Sequence, residues 1–477
     1  MLTEGGLVGM SRSFGALRFL FLAGFLAAAA AVLLQSGYAL AVLLACAVFC
    51  CLRRRPIPQF TFWLLAGGIA LRVAGVFVLH PPLESDFRMM YEAAQSLLAG
   101  DVSFSHTPYF TLWAYQSVFV AWQAMWLRLW NNPLCLELVN AVLAAGTVCL
   151  LYRMVRPHVR ESAAQTAAVL LTLFPFALSL PTLLSNQIPS AFFLTLGLWL
   201  AVSADCKGLR LWRFALAGLA LQLGNLLRAE GIIVLVAVLA WAVFELLQRR
   251  EGRKRMICGL LLLLAVYGGV HAAADGIVRT SGLNENGLSN GDPTWKFVTG
   301  LNYKTAGGYS DDDWTAIAAT LDENHRPTAE TDALQSALLE ERLHVPPLRL
   351  VRHFAHKTEY LWCADALDWA FGHTQNDPTA PLGLSSHERL LDMLKEFDRG
   401  LFFLALALAA WGLIGSRGRW GALETAAYLP YFVVFAAFCA LLLIEVQPRY
   451  AYLPQLYVFT AAAFGLDRLG EGRKNEG

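Results

Sequence analysis

Long apolar runs, repeated along the chain, limit how this sequence can fold more than any other feature. A helix needs about 20 apolar residues to cross the hydrocarbon core of a bilayer, and about a dozen runs reach or approach that length. Only 15% of the 477 residues are charged, whereas soluble domains carry roughly 25%. The sequence therefore predicts an all-α, multi-pass integral membrane protein of about 12 spans. The predicted spans are residues 14–35, 37–52, 60–80, 134–154, 162–183, 188–204, 211–228, 230–247, 256–278, 399–415, 422–444 and 449–466.

Basic residues fix the predicted direction of the chain, because Lys and Arg concentrate in short cytoplasmic loops. The basic clusters fall on one face of the membrane only if the apolar run at residues 112–130 does not cross. We therefore predict that this run lies along the outer interface, that both termini are cytoplasmic, and that segments 81–133 and 279–398 face outward. The clusters lie at residues 53–55, 153–160, 207–213, 249–255, 417–419 and 468–474.

Four regions follow from this topology. Residues 1–58 hold two extra N-terminal spans, which we interpret as a retained hairpin rather than a cleaved signal peptide. Residues 59–278 form the core transmembrane region, with the candidate catalytic outer loop at 81–133. Residues 279–398 form a small extracytoplasmic α-rich domain, and residues 399–477 hold the C-terminal spans and a cytoplasmic tail. The net charge of +1 excludes a strong electrostatic attraction to nucleic acid.

The first outer loop contains an acidic helix start. Ser85 or Asp86 can cap a helix that runs to about Ala99, and the apolar residues of that helix form one stripe, as in an interfacial helix. Asp86 is then either a plain cap stabilised by the helix dipole, or a general base at the membrane surface with Glu84 as a second carboxylate. The residues alone leave both interpretations open.

Motifs spread over most of residues 60–466 carry a family resemblance. They are Ser85-Asp86-Phe87, Thr107-Pro108-Tyr109-Phe110, Leu227-Arg228-Ala229-Glu230-Gly231 and Glu445-Val446-Gln447-Pro448-Arg449-Tyr450. In order and predicted sidedness they resemble the membrane glycosyltransferases of the GT-C superfold, especially the family of protein O-mannosyltransferases and lipid A aminoarabinose transferases. The chain departs from that pattern at Ala229, where the family carries proline, and at 185–189, where several relatives carry a carboxylate. Residues 1–58 have no counterpart in the pattern.

The resemblance implies both a fold and an activity. The fold is a GT-C-like helical bundle with outer juxtamembrane helices. The activity is that of an inverting glycosyltransferase of the bacterial cell membrane, with its active site on the extracytoplasmic face. Such an enzyme moves a sugar from a polyprenyl-phosphate donor to an acceptor hydroxyl, amine or phosphate. The partners implied are this lipid-linked sugar, an unidentified acceptor and the bilayer.

The resemblance also assigns roles to individual residues. Asp86, with Glu84, matches the catalytic carboxylate, because an acceptor hydroxyl must lose its proton as its oxygen attacks. Arg228 and Arg449 match the donor phosphate-binding groups, since a fixed guanidinium stabilises the departing phosphate. The predicted sugar pocket consists of Tyr91, His106, Tyr109, Gln116, Glu230 and Tyr450. No cofactor is required and no metal ligand is predicted; a divalent cation is an open alternative, but the missing carboxylate at 185–189 argues against it.

Plainer interpretations stand beside these roles. Each arginine can simply extend toward water, Arg228 can pair internally with Glu230, and the tyrosines can belong to an interfacial aromatic belt. The basic stretch 352–357 is predicted as a solvated face, and the acidic run 311–313 as a helix start. A transporter or lipid flippase is the alternative class, and it would need inverted repeats and a polar path across the bilayer. A non-catalytic membrane scaffold is the third.

Overall fold

The structure is a computed structural model that describes residues 19–30, 56–79, 81–203, 210–248, 252–363, 366–371, 384–414 and 425–469. Every regular element within these residues is a helix. The α-helices are α1 (Phe19–Ala30), α2 (Phe60–Leu79), α3 (Ser85–Leu98), α4 (Pro108–Leu112), α5 (Ser117–Leu127), α6 (Pro133–Val155), α7 (Glu161–Thr172), α8 (Pro175–Ser179), α9 (Gln187–Ser203), α10 (Leu211–Leu227), α11 (Gly231–Gln248), α12 (Arg253–Thr280), α13 (Trp295–Gly300), α14 (Asp311–Ala318), α15 (Ala329–Leu343), α16 (Pro347–Cys363), α17 (Asp368–Phe371), α18 (Leu384–Ile414), α19 (Leu429–Leu443) and α20 (Tyr452–Leu469). Short 3₁₀ helices occur at Ser103–His106, Ala114–Gln116, Arg156–His158, Leu180–Thr182, Thr425–Tyr428 and Pro448–Ala451.

The apolar runs do form long helices, and the all-α prediction is confirmed. In the described part of the chain, 5 helices are long and apolar enough to cross a membrane, or 6 if one bent pair counts as a single span. Helices α1, α9, α10 and α11 are apolar but shorter. The predicted number of about 12 spans is therefore not confirmed. The predicted span 37–52 lies outside the described residues.

The predicted span 162–183 is a bent pair of helices rather than one straight helix. The stretch breaks between α7 and α8, whose axes are bent by 63°. Pro175 is the physical reason, because proline lacks an N–H and its ring cannot be accommodated inside a helix. It stands instead at the first position of α8. The N–H of the next residue, Phe176, donates to Asp398 Oδ1 of α18 at 2.8 Å. The neighbouring helix α18 thus supplies a hydrogen-bond acceptor at the break.

The bundle is packed around α20. Residues 452–466 of this helix are all buried, and the helix lies against α7, α18 and α19. The small residues Ala461–Ala463 let these neighbours approach closely. The ring of Phe459 packs 4.8 Å from that of Phe174, next to the break. The segment just before α20, which includes Glu445 and Arg449, is therefore attached to a tightly packed helix.

The apolar run 112–130 contains no single long helix. It consists of the end of α4, the 3₁₀ turn Ala114–Gln116 and α5, which has 11 residues. A helix of that length extends about 16 Å, roughly half of the hydrocarbon core. Helix α5 packs instead against α3. The run is thus too short and too broken to cross a bilayer as one helix.

Residues 281–371, called the cap region from here, are attached to the loop between α2 and α6. Asn284 Nδ2 donates to Phe110 O and to Ser117 Oγ, both at 3.0 Å. The N–H of Gly291 donates to Leu112 O at 2.6 Å. Helix α12 runs through the predicted domain boundary at 278, and α18 runs through the one at 398. Helix α12 therefore leads directly into the cap region, which is also joined to the bundle by these contacts.

Candidate active site

One cavity brings together most of the predicted site residues. It has a volume of about 1000 Å³ and lies between the start of α3, the α10–α11 turn, the cap region and residues 444–454. Its lining includes the predicted residues Asp86, Tyr109, Gln116, Arg228, Glu230, Arg449 and Tyr450. These residues come from sequence positions more than 300 apart, so the fold alone makes them neighbours.

Asp86 lies in the first turn of α3 with its side chain 44% exposed. It does not cap the helix, contrary to one sequence interpretation: Glu84 occupies the cap position, without a side-chain cap hydrogen bond. Asp86 Oδ2 instead accepts from Arg449 Nη2 at 3.3 Å. The preceding residue, Ser85, has a φ of +52°, a conformation that costs a non-glycine residue about 1–2 kcal/mol. This strained helix start places the carboxylate at the cavity.

Arg449 is held on several sides and does not extend toward water. Its side chain is 7% exposed, and its Nε donates to Gln447 Oε1 at 2.7 Å. The guanidinium carbon lies 4.9 Å from the ring centre of Phe87 and 5.0 Å from that of Trp369. Such cation–π contacts are attractive and are stronger when desolvated. One N–H group of a largely fixed cation is thus directed at Asp86.

Arg228 is also enclosed, at the turn that follows α10. It forms an ion pair with Glu230, as one sequence interpretation expected, and its Nη1 donates to Asn186 Oδ1 at 3.0 Å. Its guanidinium lies 4.7 Å from the ring centre of Tyr450. Asn186 in turn donates to Gln116 Oε1 at 3.2 Å. The stretch 185–189, which lacks the expected carboxylate, therefore provides an amide that orients Arg228.

A third ion pair in the cavity was missed by the sequence analysis. Lys296 Nζ of α13 donates to Glu445 Oε2 at 2.6 Å, and the Tyr450 hydroxyl donates to Glu445 Oε1 at 3.3 Å. Burial opposes ionisation of Glu445, but the charge and hydrogen bond of Lys296 outweigh it and lower the pKa of Glu445. The pKa of Lys296 is raised despite its burial, because Tyr450 and Glu445 favour the ammonium. The sequence gives one signal for Lys296, a lone cation on a short apolar helix.

Three predicted pocket or catalytic residues do not line the cavity. Glu84 is exposed before α3. Tyr91 is on α3, where its hydroxyl accepts from Gln95 Nε2 at 2.8 Å. His106 is exposed at the end of a 3₁₀ turn. These three therefore lie outside the cavity lining that contains Asp86.

The basic stretch 352–357 is only partly the solvated face that was predicted. Arg352 and His356 are exposed, but His353 is 3% and Lys357 is 1% exposed. Lys357 Nζ donates to Gly300 O at 2.7 Å and to Ile444 O at 2.5 Å. The prediction is wrong for these two residues, because α16 turns them toward α13 and the segment that carries Arg449.

The described residues bring no three His, Cys, Asp or Glu side chains together in a way that could hold a metal ion. The cavity carboxylates are each paired with a cation: Asp86 with Arg449, Glu230 with Arg228, and Glu445 with Lys296. The acidic run 311–313 forms the first turn of α14, as predicted. The three carboxylates and three cations that line this cavity thus form ion pairs with one another.

The fold is similar to that of a known oligosaccharyltransferase. The oligosaccharyltransferase of Archaeoglobus fulgidus in its apo form matches with a TM-score of 0.50 and 15% identity, over 88% of this chain and 52% of that one. The same enzyme tethered to an acceptor peptide matches with a TM-score of 0.50 and 14% identity, over 87% of this chain and 50% of that one. At this level of identity the likeness concerns the fold, which is of the GT-C type.

Part of the sequence matches mannosyltransferases. Residues 117–269 match the family model described as dolichyl-phosphate-mannose-protein mannosyltransferase. A relative called "putative mannosyltransferase YycA", from Bacillus subtilis, is 35% identical over 136 residues, which are 28% of this chain and 19% of the relative. The chain thus spans about half of the solved chains and a fifth of the curated relative. The predicted resemblance to the GT-C membrane glycosyltransferases is confirmed.

Proposed function

We propose that this chain is a membrane glycosyltransferase that uses a polyprenyl-phosphate-linked sugar as donor. It transfers the sugar to an acceptor hydroxyl on the extracytoplasmic face, with inversion at the anomeric carbon. Asp86 is the general base, Arg228 is the principal partner of the lipid phosphate, and Arg449 orients Asp86 and adds positive charge near the phosphate. The observation that carries the proposal is the cavity in which this one carboxylate and these two guanidinium groups meet.

The proposed reaction is a single displacement. The acceptor oxygen attacks the anomeric carbon and forms the new C–O bond, while the bond between that carbon and the phosphate oxygen breaks. The lipid phosphate leaves with the electron pair, and Asp86 takes the proton of the acceptor hydroxyl. Negative charge grows on the phosphate as the bond breaks, so a fixed cation stabilises the transition state more than the ground state.

The two arginines have different parts in this scheme. In a single displacement the base and the leaving phosphate lie on opposite sides of the sugar carbon. Arg449 contacts Asp86 directly, so it belongs to the acceptor side. Arg228 has no such contact with Asp86, and its guanidinium lies over the ring of Tyr450. Arg228 is therefore the principal partner of the phosphate, while Arg449 orients the base and extends the positive field.

The walls of the cavity fit a lipid-linked donor. Its lining includes apolar residues from the ends of membrane helices: Ile233 of α11, Ala437 and Leu441 of α19, and Leu453 of α20. A polyprenyl chain can lie along such a surface while its phosphate remains among the charged residues. The family description, which names a dolichyl-phosphate-linked mannose, makes mannose the first sugar to test.

Asp86→Asn tests the proposal, because the amide keeps the shape of the side chain but cannot accept the proton. The purified protein would be given mannosyl-phospho-undecaprenol radiolabelled in the lipid, and transfer of the sugar to water, which replaces the unidentified acceptor, would be followed as release of labelled undecaprenyl phosphate. We expect the variant to lose at least about 100-fold in turnover, the lower end of the range for a general base. Its melting temperature should stay close to that of the wild type.

The matched control is Asp101→Asn. Asp101 is an exposed aspartate of the same loop that bonds only locally, to the N–H and hydroxyl of Ser103. This control should turn over donor at the wild-type rate. Wild-type turnover in Asp86→Asn would remove the base from the mechanism.

A further inference from the structure

A buried junction joins the cap region to the segment that carries the cavity charges. Two backbone bonds form part of it: Glu445 N donates to Lys296 O at 2.7 Å, and Val446 N donates to Gly307 O at 2.9 Å. The chain between Ile444 and Val446 therefore lies alongside two separate stretches of the cap region. Because Glu445 itself faces Lys296, this junction borders directly on the cavity.

Lys357 of α16 completes the junction. Its Nζ donates to Gly300 O, at the end of α13, and to Ile444 O, just after the end of α19. Lysine is almost never fully buried unless it is paired, and burying its charge carries a large free-energy cost. Here the amino group links the carbonyls of two segments that are remote in sequence. One turn earlier on α16, His353 Nε2 lies 3.1 Å from the same Gly300 oxygen.

The space around Lys357 is closed by two glycines. Gly307 has a φ of +78°, and a Cβ there would lie 2.8 Å from both Gly300 O and Lys357 Cε. A Cβ on Gly300 would lie 2.4 Å from the carbonyl carbon of Ile444. Real Cβ atoms essentially never come that close. The junction therefore leaves no room for a side chain at either glycine position.

We propose that Lys357 is a positioning residue for the transfer reaction: its buried amino group fixes residues 444–446 to the cap region and thereby sets Glu445 and Arg449 in the cavity. The inference rests on the proposed function. Lys357 itself does not line the cavity, so it acts through the segment that it holds. On this view the cap region is a structural part of the active site.

The linkage does not depend on the charge of the lysine. Burial lowers the pKa of Lys357 to about 7, against the opposing effect of Glu445. An ammonium has three N–H donors, and the neutral amine still has two. Either form can supply the two hydrogen bonds to Gly300 and Ile444. The positioning effect is therefore carried by hydrogen bonds.

Hydrogen exchange tests the linkage without any substrate. Lys357→Met keeps the length of the side chain and removes its donors, and Gly307→Ala displaces the same side chain from a different position. In both variants we expect the amides of Glu445, Val446, Gln447 and Arg449 to exchange about tenfold faster, while the helices of the bundle keep their protection. Lys304→Met, an exposed lysine of the same cap region, is the control and should exchange like the wild type.

Kinetics with radiolabelled mannosyl-phospho-undecaprenol test the consequence. Lys357→Met should lower kcat about tenfold and change the KM for the donor less than twofold, because the lipid wall is untouched. Lys357→Gln is shorter but keeps two N–H donors without a charge, so its kcat should lie between those of Met and the wild type. If Lys357→Met does not fold, the Gln and Gly307→Ala variants answer the same question.

The outcomes separate the two proposals. Faster exchange confined to residues 445–449 together with the loss of kcat supports positioning. Unchanged exchange there, or an equal increase along the whole chain, overturns it. A wild-type protein that does not turn over the donor overturns the proposed function instead, while the exchange experiment still decides whether Lys357 holds the segment.

Discussion

Two carboxylates in the same cavity are held very differently. Asp86, from the loop after α2, has a side chain that is 44% exposed and contacts Arg449 at 3.3 Å. Glu445, from the segment before α20, is 4% exposed and binds Lys296 at 2.6 Å, and it also accepts a bond from Tyr450. A base must be reachable by an acceptor that comes and goes, whereas a structural carboxylate must not move. The difference in restraint suggests which of the two takes part in the chemistry.

The largest effect in this comparison is expected at Arg228, which is 17% exposed, more than Glu445, and is proposed to touch the donor. Arg228→Gln should lower donor turnover about 100-fold, by analogy with the loss of one oxyanion-stabilising group. The measurement is release of undecaprenyl phosphate from the radiolabelled donor. Arg326→Gln is the control, since Arg326 forms an exposed ion pair with Glu285 far from the cavity. If the variant loses stability but keeps its donor turnover, Arg228 has a structural role and does not act on the donor.

For Glu445→Gln we expect a smaller effect, and on stability rather than on turnover. Removing the Glu445 carboxylate leaves Lys296 without an anionic partner, so we expect the free energy of unfolding to fall by about 2 kcal/mol. Asp86→Asn should lower it less, because the Asp86 carboxylate is 44% exposed and solvent weakens its pair with Arg449. Thermal unfolding of both variants in the same detergent measures the difference. Equal melting temperatures would break the distinction between the two carboxylates.

The stability conferred by Glu445 should also depend on pH. Its pKa in the folded protein lies below the usual value of 4.5, because Lys296 outweighs the effect of burial. Its contribution is therefore complete above about pH 4.5 and is lost as the pH falls through the lowered pKa of the folded state. In the Glu445→Gln variant, the free energy of unfolding should therefore fall less in acid than it does in the wild type. An identical loss of stability in acid for both proteins would show that the pair contributes nothing.

The smallest effect is expected on removal of divalent cations. Each cavity carboxylate already has an arginine or lysine partner, so a metal ion would have to displace that basic side chain. EDTA should therefore change the turnover of donor less than twofold. A loss of activity that added Mg²⁺ or Mn²⁺ restores would show that one of these ion pairs opens to accept a metal.

Hydropathy predicts the helices of the bundle well because it is a local property. The predicted spans 134–154 and 211–228 agree closely with α6 and α10. The break between α7 and α8 was missed, although Pro175 was visible in the sequence, because apolar composition continues on both sides of it. Long apolar runs thus indicate that a helix exists, but they do not show where it bends.

The site was only partly predictable, for two physical reasons. Asp86, Arg228 and Arg449 stand in recognisable motifs, but Lys296 and Lys357 are single basic residues whose partners lie 149 and 87 positions away. Such pairings depend on the fold. Tyr91 was assigned to the pocket by the family resemblance, yet five residues along a helix place it about 140° around the axis from Asp86. Met90, four residues from Asp86, lines the cavity instead.

The hydrogen bond between Phe176 and Asp398 sets an order of events during synthesis. The two residues are 222 positions apart, which corresponds to roughly 10 to 40 s of translation. Until α18 has been made, the start of α8 lacks the acceptor that completes it. The nascent N-terminal half must therefore wait in an unfinished conformation, and a ribosome stalled before codon 398 would leave the half-built bundle dependent on chaperones or the insertion machinery.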